Sequence, residues 1–157
     1  MKIRPIQQTD DAFLYQLIRQ ILKAEHLDLP GTAYYDTTLS ALSHFYQTAK
    51  HAEYFVLFDE EKNKVAGGVG IAPFSGDICE LQKLYILPEY RGKGYSTRLL
   101  QTAEAFAAKF YKKIYLETHT NLSTALKCYE RANFEALPAA LAGSEHSLMN
   151  VWLIKSI

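Results

Sequence analysis

The stretch ICELQKLYILPEYRGKGYSTRLL, residues 78–100, joins an apolar strand to a helix through a basic turn that contains two glycines. The strand is predicted to end at Pro88. The helix after the turn carries apolar residues that share one buried face, namely Leu99, Ala103, Phe106 and Phe110. The turn from Arg91 to Ser96 leaves backbone N–H groups unpaired at the start of this helix, where the helix dipole also favours an anion. The stretch therefore predicts a phosphate-binding turn between a strand and a helix.

Two common nucleotide-binding motifs do not match this turn. The run Gly92-Lys93-Gly94-Tyr95 lacks the hydroxyl residue that a P-loop places on magnesium, and no GxGxxG opens a βαβ unit near the N-terminus. The glycines still allow the main chain to approach a ligand closely, and Arg91 and Lys93 add charge that would neutralise a diphosphate. Taken by itself, the turn is either an anion site or a tight connection.

Length and composition bound the class of protein. A chain of 157 residues predicts one domain, residues 1–157, with one buried core. Because 17 basic residues balance 17 acidic ones, no overall field favours nucleic acid or an anionic membrane. No apolar run is long enough for a membrane span or a signal region. Cys79 and Cys128 lack metal-ligand spacing and are too few for a disulfide scaffold. We expect a cytoplasmic protein with reduced thiols, no metal and no nucleic-acid or membrane partner.

Hydrophobic periodicity predicts eleven elements in the order β-α-α-β-β-β-α-β-α-β-β. The strands are predicted at residues 2–7, 54–58, 65–72, 78–87, 113–118, 134–137 and 148–154. The first helix carries a stripe of apolar residues, namely Phe13, Leu14, Leu17, Ile18, Ile21 and Leu22. The second helix, capped by Asp36 or Thr37, runs to Ala49, and the last one covers residues 123–132. The pattern predicts an α/β domain with no internal repeat.

The run Leu87-Pro88-Glu89-Tyr90-Arg91-Gly92-Lys93-Gly94-Tyr95-Ser96 resembles the acetyl-coenzyme A signature of the GCN5-related N-acetyltransferase (GNAT) family. That signature is usually (Q/R)-x-x-G-x-(G/A) between a strand and a long helix. Arg91 and Gly94 match it, and Ser96 replaces the final small residue. The predicted order of elements is also similar to the family's fold along essentially the whole chain.

Other segments carry the same resemblance. Residues 125–134, ALKCYERANF, resemble the family's A-x-x-x-Y-x-x-x-G-F segment, with Asn133 where glycine is usual. Asparagine is the next most tolerant residue at a left-handed helix end. Gly67-Gly68, residues 80–85 and the loop 31–36 are similar to a bacterial subgroup of the family without a defined substrate. The resemblance implies a single-domain GNAT-like α/β fold, with a mixed sheet of about seven strands and about four flanking helices.

The resemblance also implies acetyl-coenzyme A as acyl donor and assigns the residues that would hold it. The amides of the turn would bind the diphosphate, and the end of the preceding strand would pair with the pantetheine arm. These positions are Leu84, Tyr85, Ile86, Leu87, Arg91, Gly92, Lys93, Gly94, Tyr95, Ser96 and Thr97. Asn121 resembles a cofactor-contacting asparagine of the family, although it lies one residue too far from Ala125 for the usual register. It is alternatively a turn or cap residue.

Two residues are candidates for the proton transfers of acyl transfer to an amine. Tyr129 matches the family's general-acid tyrosine, and a phenol with a pKa near 10 is protonated at neutral pH. Its alternative is a core tyrosine with the hydroxyl at the rim. Glu80 is a carboxylate inside an apolar strand, which is costly unless it is paired or near water. It is a base, a substrate-binding carboxylate or half of an ion pair. Strand parity places Lys83 on the face opposite Glu80 unless a bulge intervenes.

The amine acceptor is less defined. His146 titrates near neutral pH and is either a substrate-site residue or a loop histidine. Tyr34 and Tyr35 lie in the region where this fold builds its acceptor site, but exposed aromatic residues are also ordinary. Three functions remain open: an N-acetyltransferase for a small or amino-acid-like amine, one for proteins, and a non-catalytic acyl-coenzyme A sensor. The first is our prediction, and a homodimer is plausible for this family.

Overall fold

The computed structural model describes residues 1–157. Its strands are β1 (Lys2–Pro5), β2 (Glu53–Asp59), β3 (Lys64–Ser75), β4 (Ile78–Ile86), β5 (Lys113–Thr118), β6 (Glu135–Leu137) and β7 (Val151–Ser156). Its α-helices are α1 (Asp11–Ala24), α2 (Leu42–Thr48), α3 (Tyr95–Ala107) and α4 (Ser123–Arg131). The predicted α/β class and the order of the eleven elements are confirmed.

One mixed sheet of seven strands runs in the order β1-β2-β3-β4-β5-β7-β6. Every neighbouring pair is antiparallel except β4 and β5, which are parallel. That parallel pairing covers only residues 78–80 of β4 and 113–115 of β5. Beyond Glu80 the two strands have no shared ladder, so the remaining edge of β4 faces a gap in the sheet.

A bulge bends β4 as it leaves its neighbour. Lys83 has a left-handed backbone with φ of 53°, and the register against β3 shifts between Gly68 and Gly70. Such bulges increase the local twist and redirect side chains. The bulge therefore changes which residues of β4 face the gap.

The helices bury the faces that the periodicity predicted, with two exceptions. α1 buries Leu14, Leu17, Ile18, Ile21 and Leu22, and α3 buries Leu99, Leu100, Ala103 and Ala107. Phe13 is 43% exposed, so its place in the buried stripe was wrong. Phe110 lies beyond the end of α3, is 44% exposed and stacks on His51. The chain turns after Ala107 towards β5, and Tyr111 is buried there in its place.

Several predicted boundaries differ from the structure, and β3 extends to Ser75, three residues beyond its predicted end at residue 72. The second helix does not start at Asp36 or Thr37, because a 3-10 turn at Leu39–Ala41 precedes α2 and Ala41 has a non-helical backbone. The first strand ends at Pro5, and the last begins at Val151 after a turn. The left-handed end of α4 is as predicted, since Asn133 has φ of 62°. Each helix is too short or too polar to cross a membrane.

Candidate active site

The gap between β4 and β5 opens into a cleft, which we call the β4–β5 cleft. Residues from α1, β4, α3 and the start of α4 line it. It brings together eight of the residues that the sequence assigned to a cofactor, namely Leu84, Tyr85, Ile86, Arg91, Gly92, Tyr95, Ser96 and Asn121. These positions are separated by up to 37 residues in the chain (Leu84 to Asn121), and the gap in the sheet is what places them on one surface.

The turn before α3 lies at this cleft and presents unpaired amides. Gly92 and Gly94 have φ of 72° and 78°, a conformation that glycine adopts without strain. None of the backbone N–H groups from Gly92 to Thr97 has an acceptor within the protein. Arg91 donates from Nε to the carbonyl of Ile86 at 2.9 Å, which holds the turn against the end of β4. A row of free amides at a helix start is an anion-binding arrangement.

The structure places the other predicted cofactor residues outside the cleft wall. The amide of Leu87 donates to the carbonyl of Ala66, and its side chain is buried in the core. Lys93 turns back and donates to the carbonyl of Glu89, while Thr97 is exposed on α3. Gly94 is the N-cap of α3 and contributes only main chain. Asn121 lines the cleft, but its side-chain amide donates to the carbonyl of Glu25.

A smaller cavity continues the cleft inwards, and we call it the junction. Tyr85 lines both, and Tyr129 and Glu80 line the junction. Tyr129 is 5% exposed, and its ring lies against Phe134 with 5.7 Å between centroids. Its hydroxyl makes no hydrogen bond within the protein. Every fully buried side-chain oxygen of the protein has a hydrogen-bond partner, so this hydroxyl is not fully buried. The hydroxyl therefore reaches the cavity. Burial raises the pKa of Tyr129, so the phenol is a proton or hydrogen-bond donor at neutral pH.

Glu80 lies on the other wall of the junction. Its carboxylate accepts a hydrogen bond of 2.6 Å from Gln82 Nε2. Burial raises the pKa of Glu80, and the charge of Glu117 raises it further. A carboxylate with a raised pKa is closer to the range in which it exchanges a proton at neutral pH. Glu80 is thus not half of a buried ion pair, which was one of its three interpretations.

Glu117 and His146 accompany Glu80. The nearest ligand-type atoms of these three residues all lie within 4.8 Å of one another. Each already has a protein partner, since Ser144 Oγ donates to Glu117 and His146 contacts Asp36. Glu117 was missed from the sequence, although it is a charged residue in the apolar strand β5, which is the signal that singled out Glu80.

A third cavity of about 410 Å³ extends from Glu80 to the surface, and we call it the outer cavity. Asp36 lies at its wall between two basic groups, with Lys83 Nζ at 2.9 Å and His146 Nε2 at 3.0 Å. Burial alone would raise the pKa of Asp36, but the contact with His146 and the charge of Lys83 outweigh it and lower that pKa to about 2. The same contact raises the pKa of His146 against the opposing effect of burial.

The structure places Lys83 according to the bulge alternative and places Tyr34 and Tyr35 away from the three cavities. Lys83 lines the outer cavity together with Glu80, and its side chain is only 6% exposed, because the bulge reverses the strand alternation. Tyr34 and Tyr35 line none of the three cavities. Arg19 packs on the Tyr34 ring at 3.7 Å and donates to its carbonyl, and Tyr35 is 58% exposed.

The arrangement has the parts that acyl transfer to an amine needs. The free amides at the cleft can bind the phosphates of an acyl carrier. The Tyr129 hydroxyl can donate a hydrogen bond to a leaving group that develops negative charge. The Glu80 carboxylate can accept the proton that an attacking amine releases. The outer cavity provides a separate entry to the same junction.

Comparison with known proteins agrees with this reading. The model of the acetyltransferase (GNAT) family matches residues 14–134. The chain is 34% identical to the uncharacterized N-acetyltransferase YjgM of Escherichia coli K12, over 99% of this chain and 94% of that protein.

Solved structures share the fold at low identity. A GNAT family acetyltransferase from Staphylococcus aureus Mu50 superposes with a TM-score of 0.86 at 17% identity, covering 99% of this chain and 98% of that one. The PaiA N-acetyltransferase from Thermoplasma acidophilum, solved in complex with coenzyme A, gives 0.75 at 19% identity with the same coverage. With a family model that spans most of its length and a relative at 34% identity, this chain belongs to the acetyltransferase (GNAT) family.

Proposed function

We propose that this acetyltransferase moves an acetyl group from acetyl-coenzyme A to the primary amine of a small molecule. The observation that carries the proposal is the row of free amides from Gly92 to Thr97 beside a cleft that leads to Tyr129 and Glu80. The solved relatives that contain coenzyme A, the PaiA protein and an aminoglycoside 6'-N-acetyltransferase, support the choice of donor.

The β4–β5 cleft has a polar end and an apolar wall that could hold such a donor. The amides of the turn bind the diphosphate, and Arg91 adds positive charge beside them. The free edge of β4 along Leu84 and Ile86, apart from the Ile86 carbonyl that accepts from Arg91, supplies backbone groups for the pantetheine arm, in the manner of an added strand. When bound, acetyl-coenzyme A supplies an activated thioester at the junction.

At the junction, Glu80 and Tyr129 handle the protons. Glu80 accepts the proton that the amine loses as its nitrogen bonds to the acetyl carbon. Tyr129 donates its O–H to the sulfur as the carbon–sulfur bond breaks. Because burial raises the pKa of Tyr129 above that of a thiol, the hydrogen bond stabilises the leaving thiolate, and solvent completes the proton balance. The products are the N-acetyl amine and free coenzyme A.

The outer cavity favours a small acceptor over a polypeptide. The segment that carries Gly143, Glu145 and His146 covers it from one side, and Asp36 with Thr37 and Thr38 covers it from the other. An extended peptide needs an open groove, whereas this enclosure suits a molecule that enters from one end. His146 is then a substrate-site residue, whereas Tyr34 and Tyr35 are not.

Thermal unfolding with acetyl-coenzyme A, coenzyme A and ATP tests the donor site. We expect both coenzymes to raise the unfolding midpoint and ATP to leave it unchanged, because only a ligand that binds the native state stabilises it. Thiol release from acetyl-coenzyme A with a panel of small amines and lysine peptides then tests the reaction. No shift at near-millimolar coenzyme, or release only with peptides, contradicts the proposal. A shift without release from any amine or peptide identifies a sensor.

A further inference from the structure

The junction and the outer cavity together carry an excess of negative charge. Apart from two tyrosines, their titratable side chains are four carboxylates and two basic groups, namely Asp36, Glu80, Glu117 and Glu145 against Lys83 and His146. Four negative charges against two positive ones leave an excess of two even when His146 is protonated. The excess lies where the acceptor has to be bound.

Both basic groups already form an ion pair with the same carboxylate, that of Asp36. Lys83 Nζ lies 2.9 Å from Asp36, and His146 Nε2 lies 3.0 Å from the same carboxylate. Lys83 is almost fully buried in this contact. No other lysine or arginine lines the two cavities. A carboxylate on the acceptor would therefore find no free cation and would face repulsion.

The remaining carboxylates form no salt bridge, and the basic group nearest to Glu80 and Glu117 is His146, which lies within 4.8 Å of both but is bound to Asp36. Glu80 accepts from the neutral amide of Gln82, and Glu117 accepts from the neutral hydroxyl of Ser144. Glu145 is exposed and forms no ion pair. Two half-buried carboxylates with oxygens within 4.8 Å repel each other, and a bound cation relieves that repulsion.

We propose that the acceptor is a short alkyl diamine, an amine that carries a second positive charge and no carboxylate. This inference rests on the proposed function, since it names the substrate of the same site. One nitrogen gives its proton to Glu80 and reacts, and the second ammonium stays charged and lies with Glu117. Charged hydrogen bonds to a half-buried carboxylate are the stronger kind, so the second charge contributes to binding.

A matched series of acceptors tests the charge preference. 1,4-Diaminobutane, n-butylamine and 4-aminobutanoate share four carbons and one primary amine and differ only at the far end. Thiol release is measured with each acceptor in the presence of EDTA, so that no divalent cation occupies the carboxylates. We expect kcat/KM to be roughly tenfold higher for the diamine than for butylamine, and lower again for aminobutanoate.

The variant Glu117→Gln tests the assigned residue. The substitution keeps a hydrogen-bond acceptor for Ser144 but removes the negative charge. We expect the ratio of kcat/KM for the diamine to kcat/KM for butylamine to fall to near one. The stabilisation by coenzyme A should be unchanged. Glu130→Gln is the matched control, because Glu130 is exposed on α4, lines neither cavity and removes the same charge from the protein. The control should keep the preference.

The outcomes separate this inference from the proposed function. No stabilisation by coenzyme A and no release with any amine contradict both. Stabilisation by coenzyme A together with release that is equal or better with butylamine or aminobutanoate overturns the diamine alone. Absence of release with the diamine also overturns it, whatever the other acceptors do. An unchanged preference in Glu117→Gln removes Glu117 from recognition and overturns the placement of the second charge.

Discussion

The β4–β5 cleft and the outer cavity meet at the same junction, but the cleft presents main-chain amides whereas the outer cavity presents charged side chains. The wall of the cleft combines main chain from one continuous turn with apolar side chains, and its polar end is the row of amides from Gly92 to Thr97. The outer cavity is built from charged side chains on separate segments, of which Asp36, Lys83 and His146 are linked by ion pairs. On the proposed function, backbone groups would recognise the donor, whereas charged side chains would select the acceptor.

This difference implies that the two regions respond to different perturbations. A change of main-chain geometry should weaken donor binding and leave the acceptor side intact, while a change of charge should do the reverse. The junction belongs to both, because it is lined by Tyr129, the proposed donor to the leaving sulfur, and by Glu80, which also lines the outer cavity. Changes there should affect turnover without affecting donor affinity.

The largest effect is expected from Tyr129→Phe, which removes the donor to the leaving sulfur. Turnover should fall roughly 10²–10⁴-fold, while the affinity for acetyl-coenzyme A changes little. Steady-state kinetics and ligand-induced thermal shifts measure the two quantities. Tyr111→Phe is the control, since its hydroxyl donates to the carbonyl of His51 and lines none of the three cavities. Turnover that is unchanged at several pH values would remove Tyr129 from the mechanism.

Glu80→Gln sharpens the distinction between a base and a binding carboxylate. Because the pKa of Glu80 is raised, kcat/KM of the native protein should fall as the pH drops through that pKa and Glu80 becomes protonated. The variant should lose this acid limb and about 10²-fold in kcat/KM at neutral pH. If the limb persists and only KM rises, Glu80 binds the acceptor and another group takes the proton.

Gly94→Val tests whether main chain alone recognises the donor. Gly94 has φ of 78° and no neighbour within 4 Å of an added Cβ, so valine meets empty space but a strained backbone. The turn is expected to leave its present conformation, which weakens coenzyme binding roughly 10- to 100-fold.

Gly76→Val is the matched control for that experiment. Gly76 has φ of 57° and is equally free of neighbours, but it lies in the turn between β3 and β4, away from the cleft. Both variants carry the same kind of strain, so both should lose similar stability and only Gly94→Val should lose affinity. Normal coenzyme affinity in a folded Gly94→Val variant would refute this placement of the diphosphate.

Asp36→Asn should affect stability more than donor binding. It leaves the buried ammonium of Lys83 without its partner, which costs about 3 kcal/mol. Asp36 has a lowered pKa, so its contribution is present above about pH 4 and is lost as the pH falls towards 2. His146 has a raised pKa, so its contribution is present below about pH 6.5 and is lost as the pH rises through the folded value.

The difference in unfolding midpoint between native protein and Asp36→Asn should therefore be greatest between about pH 4 and pH 6.5. Thermal unfolding across the pH range measures it. Asp77→Asn is the control, since its contact with Lys112 is an exposed one of 3.9 Å and should contribute little at any pH. A difference that does not fall as the pH rises above about 6.5 would show that His146 is not linked to Asp36 in solution.

The donor side was predictable because its determinants are contiguous. The signature from Arg91 to Ser96 lies within one turn, and its glycines have a positive φ, which glycine adopts without strain. Leu87 and Thr97 are next to the signature but do not line the cleft, since Leu87 is buried in the core and Thr97 is exposed on α3. Position in a motif therefore does not decide which side chains face the cleft. Tyr129 was also placed correctly on its helix, since the spacing of a helix is regular.

The acceptor side was predictable only in part, and Lys83 shows why. Strand alternation placed it away from Glu80, but one left-handed residue in β4 turned it into the outer cavity. Glu117 lies beside Glu80 because β4 and β5 are neighbours, a pairing between positions 37 residues apart in the chain. His146 acquires a partner 110 residues away.

By itself the sequence determined the α/β class, the order of the elements, the glycine-containing turn before α3 and the position of Tyr129 on α4, because each depends on local periodicity, glycine conformation or a short motif. Tertiary structure alone decided that β4 and β5 separate after Glu80, that Asp36 pairs with both Lys83 and His146, and that Glu117 lies beside Glu80 and His146. These features depend on a bulge and on contacts between distant segments, whose energies no local pattern encodes.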